Sequence, residues 1–217
     1  MNLYRIDNLI NAYLDARSVI VDSGYATEMD WQENVSFDKL DESTFLREIS
    51  WVILSAGMKE TVIRKKFIEL TSVFCNWRSS EEILRNYKAR LNKALRIFNH
   101  LQKISAIISV AKKVKKEGFG EIKRRIEKDK IEYLISFDYI GPVTAYHLAK
   151  NIGLNVAKPD RHLMRITQAL KFENTTDLCN TISHFTGDKV SVVDLVLWRY
   201  ATINKNYLND FNSLVAT

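Results

Sequence analysis

The chain of 217 residues, 46% of them hydrophobic, is long enough for one large domain or two small ones and carries enough apolar mass to fill a core. Lys and Arg outnumber Asp and Glu by 32 to 26, a formal net charge of +6 that fits a polyanionic partner without demanding one. No apolar run reaches the ~18 residues that span a bilayer, which excludes a helical membrane protein.

The opening segment, MNLYRIDNLINAYLDARS, has acids and no small-residue cleavage site, so a cytoplasmic protein is expected. Residues 45–70, FLREISWVILSAGMKETVIRKKFIEL, read as a buried helix ending near Ser55 to Met58, a break at Gly57, and then an amphipathic helix. Cys75 and Cys179 stand too far apart for a zinc or iron–sulfur spacing, and two free thiols with no metal site are expected. Ser79 with Glu82, and later Ser191 with Asp194, have the spacing of capping boxes and predict helix starts near 80 and 192. Leu84, Tyr87, Leu91, Leu95, Phe98 and Leu101 recur at three- and four-residue steps, predicting one helix face turned to the core. A basic run follows, from Lys112, Lys113, Lys115 and Lys116 to Lys123, Arg124, Arg125, Lys128 and Lys130. A solvated helix surface accounts for most of it, with part free to face a polyanion. With no strand ladder, repeat or tether, the expectation is one compact all-α body.

Residues 139–166, YIGPVTAYHLAKNIGLNVAKPDRHLMRI, hold both prolines and two of the seven glycines. Residues 133–137 read as the end of one helix and 144–151 as the next, with Asp138, Tyr139, Ile140 and Gly141 turning between them, a helix–hairpin–helix. Such a turn leaves backbone N–H groups of the second helix pointing outward, where the helix dipole favours a phosphate. Pro142 at the first helical position removes an N–H that has no partner there anyway. An αα-corner that serves only packing has the same appearance. Past a loop at 153–159, Asp160 heads another helix carrying His162 and Arg165. Its position suits an N-cap as well as a chemical role.

The hairpin, the Gly/Pro loop and the aspartate together resemble the helix–hairpin–helix (HhH-GPD) DNA glycosylase superfamily. Its Leu-Pro-Gly-X-Gly-X-X-Thr-Ala hairpin corresponds here to Phe137, Asp138, Tyr139, Ile140, Gly141, Pro142, Val143, Thr144 and Ala145, with the second glycine and the Thr-Ala pair matching. Its aspartate, often followed by X-His-X-X-Arg, corresponds to Asp160, with His162 and Arg165 after it, and the Pro159–Asp160 pair is similar to the alkylbase branch. The resemblance is marked over 134–166 and topological over the rest of 45–170. It implies an all-α fold of two helical lobes with the active site between them, a single domain over 1–217. In that division a lobe takes about 45–130, the hairpin and aspartate region takes 133–166, and the termini add a further helical lobe.

The resemblance further implies Asp160 as the catalytic carboxylate. It implies Tyr139, Ile140, Gly141, Val143, Thr144, Lys158, Arg161, His162 and Arg165 as DNA contacts. The family's base-filling glutamine is missing from SWVILSAG, residues 50–57, so Gly57 and Met58 stand where the plug would be. Trp51, Trp77 and Trp198 are large enough to line a base pocket, with core packing the ordinary fate of each. Val143 replaces the Schiff-base lysine of bifunctional members, and a valine is no nucleophile, so monofunctional chemistry without lyase activity is implied. The partner is double-stranded DNA, met by a monomer. No cofactor is expected beyond a monovalent cation at the hairpin carbonyls, since the iron–sulfur cysteines are absent. The base is an alkylated purine by branch similarity. A likeness to prokaryotic glycosylases that attack hypermodified phage DNA suggests glucosylated 5-hydroxymethylcytosine, hence antiviral defence. The other class of reading is a non-catalytic helix–hairpin–helix module that only holds DNA.

Overall fold

The computed structural model describes residues 3–213. Among them thirteen α-helices and no strand are found, so the all-α expectation holds. Residues 1, 2 and 214–217, which the expected single domain includes, lie outside the described residues. Among the described residues no helix is long and apolar enough to cross a membrane. The helices sort into two units, one built from residues up to Val35 together with those from Gly153 onward, the other from Ser36–Ile152. The boundary falls inside the expected 133–166 region: the hairpin belongs to the second unit and Asp160 to the first.

The first unit contains α1 (Leu3–Ile20), α2 (Ala26–Asn34), α10 (Arg161–Ala169), α11 (Thr175–Thr186), α12 (Val190–Ile203) and α13 (Tyr207–Ser213). Leu9, Tyr13, Ala16 and Ile20 line one face of α1 and bury against Val193, Val196 and Leu197 of α12, with Leu163 and Ile166 of α10 in the same cluster. Each large aliphatic so buried contributes on the order of 1.5–3 kcal/mol of transfer free energy. The Tyr13 hydroxyl, inside this core, donates to Asp188.

The second unit contains α3 (Glu42–Ser55), α4 (Glu60–Val73), α5 (Ser80–Leu84), α6 (Tyr87–Ile97), α7 (Leu101–Glu117), α8 (Phe119–Ile135) and α9 (Pro142–Asn151). Asp41 caps α3, accepting from the Thr44 N–H at 2.7 Å, and that bond holds its carboxyl below the usual range. Phe45, Ile49, Val52 and Ile53 of α3 are fully buried, as are Ile104 and Ala111 of α7 and Leu148 of α9. The expected break at Gly57 is present, with φ +69, and Ser79 caps α5 through the Glu82 N–H.

Two expectations are corrected. The periodic run from Leu84 to Leu101 is three helices rather than one: Asn86 takes a left-handed conformation between α5 and α6, and Phe98 is extended before α7. Ala94 and Phe98 are buried, whereas Leu84, Tyr87, Leu91 and Leu95 are half-buried and Leu101 is 58% exposed. Three-four spacing persists across a left-handed residue, so periodicity alone does not register the turn. The Ser191–Asp194 box does not form either. The helix α12 already begins at Val190, Ser191 is inside it, and its N–H donates to Asn155 Oδ1 at 3.1 Å. Asp194 accepts instead from the Lys158 N–H. A distant loop satisfies groups that a local box was expected to pair.

Candidate active site

The hairpin turn is pinned by apolar residues on either side of its tip. Phe137 and Ile140 are buried, and the Ile140 N–H closes the turn on the Phe137 carbonyl at 3.1 Å. The Phe137 ring sits edge-on to Phe45 and Tyr133, each at 5.5 Å between centroids. Between these anchors, Tyr139 is exposed and takes φ +68, where the resembling family has glycine. That conformation costs an L-residue about 1–2 kcal/mol. Contacts of the ring offset it: His100 meets it edge-on at 5.9 Å, and the Lys103 ammonium lies 5.5 Å from its centroid.

Gly141 is the extended residue before α9, at φ −96 and ψ 179. The Thr144 hydroxyl accepts from the Gly141 N–H at 2.8 Å and donates to the Gly141 carbonyl. Glycine has no side chain to cap the first turn, and Pro142 has no N–H. The N–H groups of Val143 and Thr144 find no acceptor among the described residues. Val143 itself is half exposed.

Lys103 escaped the sequence reading. Its side chain is buried, and Nζ donates to the carbonyls of Leu54 and Ala56 at 2.6 Å each, placing a cation at the C-terminal end of α3. Burial pushes its amine below the ordinary lysine value. Those carbonyls lead directly into the turn at Gly57 and Met58, both exposed, while the Met58 N–H returns to Ser55. One buried ammonium therefore joins the backbone that leads into the candidate plug to the ring at the hairpin tip. The available signal was a lysine sharing the helical face of Ile107, Val110 and Val114. Trp51 is half-buried, edge-on to Phe67 at 5.2 Å with the Arg64 guanidinium beside it. Trp77 is core, stacked on Phe67 and Phe74. Trp198, half-buried, carries the Arg199 guanidinium at 4.5 Å from its ring centroid.

In the first unit, the loop before Asp160 is fastened to the start of α12 through Asn155 and the Lys158 N–H. Asp160, at φ −88 and ψ 170, caps α10: Oδ1 accepts from the His162 N–H at 2.9 Å and the Leu163 N–H at 3.0 Å. Oδ2 accepts no hydrogen bond from any described residue. Lys158 stands close enough for the Asp160 charge to favour its ammonium, but burial dominates and pushes the amine down. His162 pairs its Nδ1 with the Tyr207 hydroxyl at 3.2 Å, and the Arg161 Nε donates to its other ring nitrogen. Burial lowers the His162 imidazole below its ordinary value, so the ring is neutral at pH 7. Arg161 and Arg165 are exposed on the outer side of α10. Lys158, Asp160, Arg161, His162 and Arg165 thus share one helix start, and Tyr139, Ile140, Gly141, Val143 and Thr144 share another.

Comparison with known proteins agrees with this architecture. The structure is similar to the crystal structure of Methanocaldococcus jannaschii 8-oxoguanine glycosylase/lyase in complex with a 15-mer DNA containing 8-oxoguanine. The TM-score is 0.60 at 18% identity, over 90% of this chain and 98% of that one. The all-α helix–hairpin–helix glycosylase fold is therefore shared. No protein-family model and no curated protein sequence matches the chain.

Proposed function

We propose that the chain is a monofunctional DNA glycosylase, which extrudes a modified base from duplex DNA and hydrolyses its N-glycosidic bond to leave an abasic site. The observation that carries the reading is Asp160, whose Oδ1 is committed to two backbone N–H groups while Oδ2 is left to act on something else. Capping by Oδ1 fixes the carboxylate's direction. As the base departs, positive charge develops on the sugar, and an anion ~4 Å away contributes about 4 kcal/mol at an effective dielectric of 20. The same oxygen orients the water that completes the sugar, with its proton leaving on the carboxylate or to solvent.

The hairpin supplies the grip. The N–H groups of Val143 and Thr144 meet a phosphate oxygen at the dipole-positive end of α9. Gly57 and Met58 enter the gap left by the extruded base, and Lys158, Arg161 and Arg165 neutralise flanking phosphates. Val143 provides no amine for a Schiff base, so the strand stays intact. The carbonyls of Phe137 and Gly141 already accept hydrogen bonds, which leaves those of Asp138, Tyr139 and Ile140 to hold a monovalent cation. The enzyme acts as a monomer. Its candidate bases are alkylated purines and hypermodified phage bases such as glucosylated 5-hydroxymethylcytosine, the latter making it a defence enzyme.

A binding module without chemistry is the second reading, favoured by the fact that capping α10 alone accounts for Asp160 Oδ1. The test is incubation of the protein with duplexes carrying alkylated, deaminated, oxidised or glucosyl-hydroxymethylated bases, followed by alkali. Breaks that appear only after alkali identify a monofunctional glycosylase and its base. Breaks before alkali contradict the monofunctional assignment, and binding with no breaks on any substrate leaves the module.

A further inference from the structure

From residue 83 to residue 116 the chain carries ten lysines and arginines and no aspartate or glutamate, a local excess larger than the net charge of the whole protein. Elsewhere several exposed arginines are matched to carboxylates: Arg64 with Glu60 on α4, Arg78 with Glu82 beside α5, Arg124 with Glu121 on α8. The helix α6 has no such option. Its exposed arc is formed by Lys88, Ala89, Asn92, Lys93 and Arg96, and Lys88, Lys93 and Arg96 form no ion pair with any described residue. Lys93 and Arg96, three residues apart, are a like-charge pair that mildly disfavours the isolated helix.

The arc is continuous with the hairpin through two successive residues of α7. Lys112 reaches one way, its Nζ 4.7 Å from the centroid of Tyr87 at the start of α6. Lys113 reaches the other way, donating to Ser136 Oγ at 2.8 Å and lying 4.3 Å from the centroid of Phe137, the residue that opens the hairpin turn. From Lys88 to Arg96 the helix rises ~12 Å, the length over which duplex DNA presents roughly seven phosphate charges.

We propose that the outer face of α6, with Lys112 at its edge, is a second phosphate-contacting surface for duplex DNA, reached by backbone that runs on from the hairpin. The surface rests on the DNA-acting reading above and adds to it. It reads no sequence: lysines and an arginine on a helix face neutralise phosphates, lengthen the footprint and raise the salt dependence of binding.

The test is the salt dependence of duplex affinity for wild type and for Lys88→Gln/Lys93→Gln/Arg96→Gln, beside a control of equal charge change, Lys39→Gln/Lys65→Gln/Lys205→Gln. The surface is supported if the α6 variant lowers the log–log salt slope by about 2–3, near 0.9 per phosphate contact, while the control leaves it almost unchanged. Base release at saturating DNA should stay at the wild-type level and thermal stability at or slightly above it, which keeps a folding defect from imitating the result. An unchanged slope in the α6 variant overturns the surface while the wild type's own binding and base release leave the glycosylase reading standing. Equal loss of slope by variant and control shows a net-charge effect and overturns it too. Wild type that binds no duplex at all removes the reading on which the surface rests.

Discussion

Gly141 and Asp160 occupy almost the same backbone conformation, φ −96 and ψ 179 against φ −88 and ψ 170, and each stands immediately before a helix. One helix start is closed by the chain's own carboxylate, which accepts two N–H groups of α10. The other has no side chain at that place, and the N–H groups of Val143 and Thr144 find no acceptor among the described residues. The backbone of Gly141 lies outside the left-handed region, and a Cβ there would meet only Thr144 Oγ1 at 4.0 Å, an ordinary contact. Neither strain nor space demands glycine at 141. The difference teaches that one local device serves opposite ends: the same extended residue installs an anion at α10 and leaves room for one at α9.

Exchanging the devices is the sharpest way to break this comparison. Gly141→Asp should cap α9 as Asp160 caps α10, leaving thermal stability equal or slightly raised. It should weaken duplex binding by about 100-fold, the scale of losing charge-assisted hydrogen bonds of ~1.5–3 kcal/mol and setting a carboxylate in the phosphate's place. Fluorescence anisotropy with a labelled duplex gives the affinity. Unchanged binding would mean that the α9 start is not where DNA is held.

Lys103 tests whether the hairpin tip and the Gly57 turn depend on a shared support. Lys103→Met keeps most of the side-chain volume but leaves the Leu54 and Ala56 carbonyls without their donor. A loss of ~2 kcal/mol is expected from two under-satisfied carbonyls, read by urea denaturation. Faster hydrogen exchange should be confined to residues around 54–58 and 137–141. A loss spread evenly over the second unit would make Lys103 a general packing residue.

The smallest effect concerns His162. Burial holds its imidazole below 6.5, so as pH falls the unfolded chain takes up that proton before the folded one does. Its contribution to stability is therefore full above pH 6.5 and declines as pH drops from there toward the lower folded value. His162→Gln should flatten this part of the stability profile. An unaltered slope between pH 7 and 5 would remove the linkage.

The hairpin and the aspartate were legible because they are local: a turn residue, a proline at the first helical position and a capping aspartate act within a few residues of one another. The break at Gly57 was legible for the same reason. What stayed hidden is what long-range pairing decides. Asn155 and Lys158 satisfy groups of α12 more than thirty residues away, which no Ser–Asp spacing reveals. Asn86 turns the chain within an unbroken apolar period. Lys103 looked like one more cation in a basic chain until the carbonyls that surround it were seen.

The central claim is that Asp160 Oδ2 acts on the substrate while Oδ1 serves the fold. Single-turnover base release by Asp160→Asn, on whichever duplex the wild type cleaves, tests it most directly, with the bound fraction and thermal midpoint measured alongside. The amide oxygen can keep the α10 cap, so folding and DNA binding should persist. The rate should fall by roughly 1,000-fold, the equivalent of ~4 kcal/mol of lost charge stabilisation. Base release at the wild-type rate by a folded, DNA-bound Asp160→Asn protein would contradict the account and leave Asp160 a cap alone.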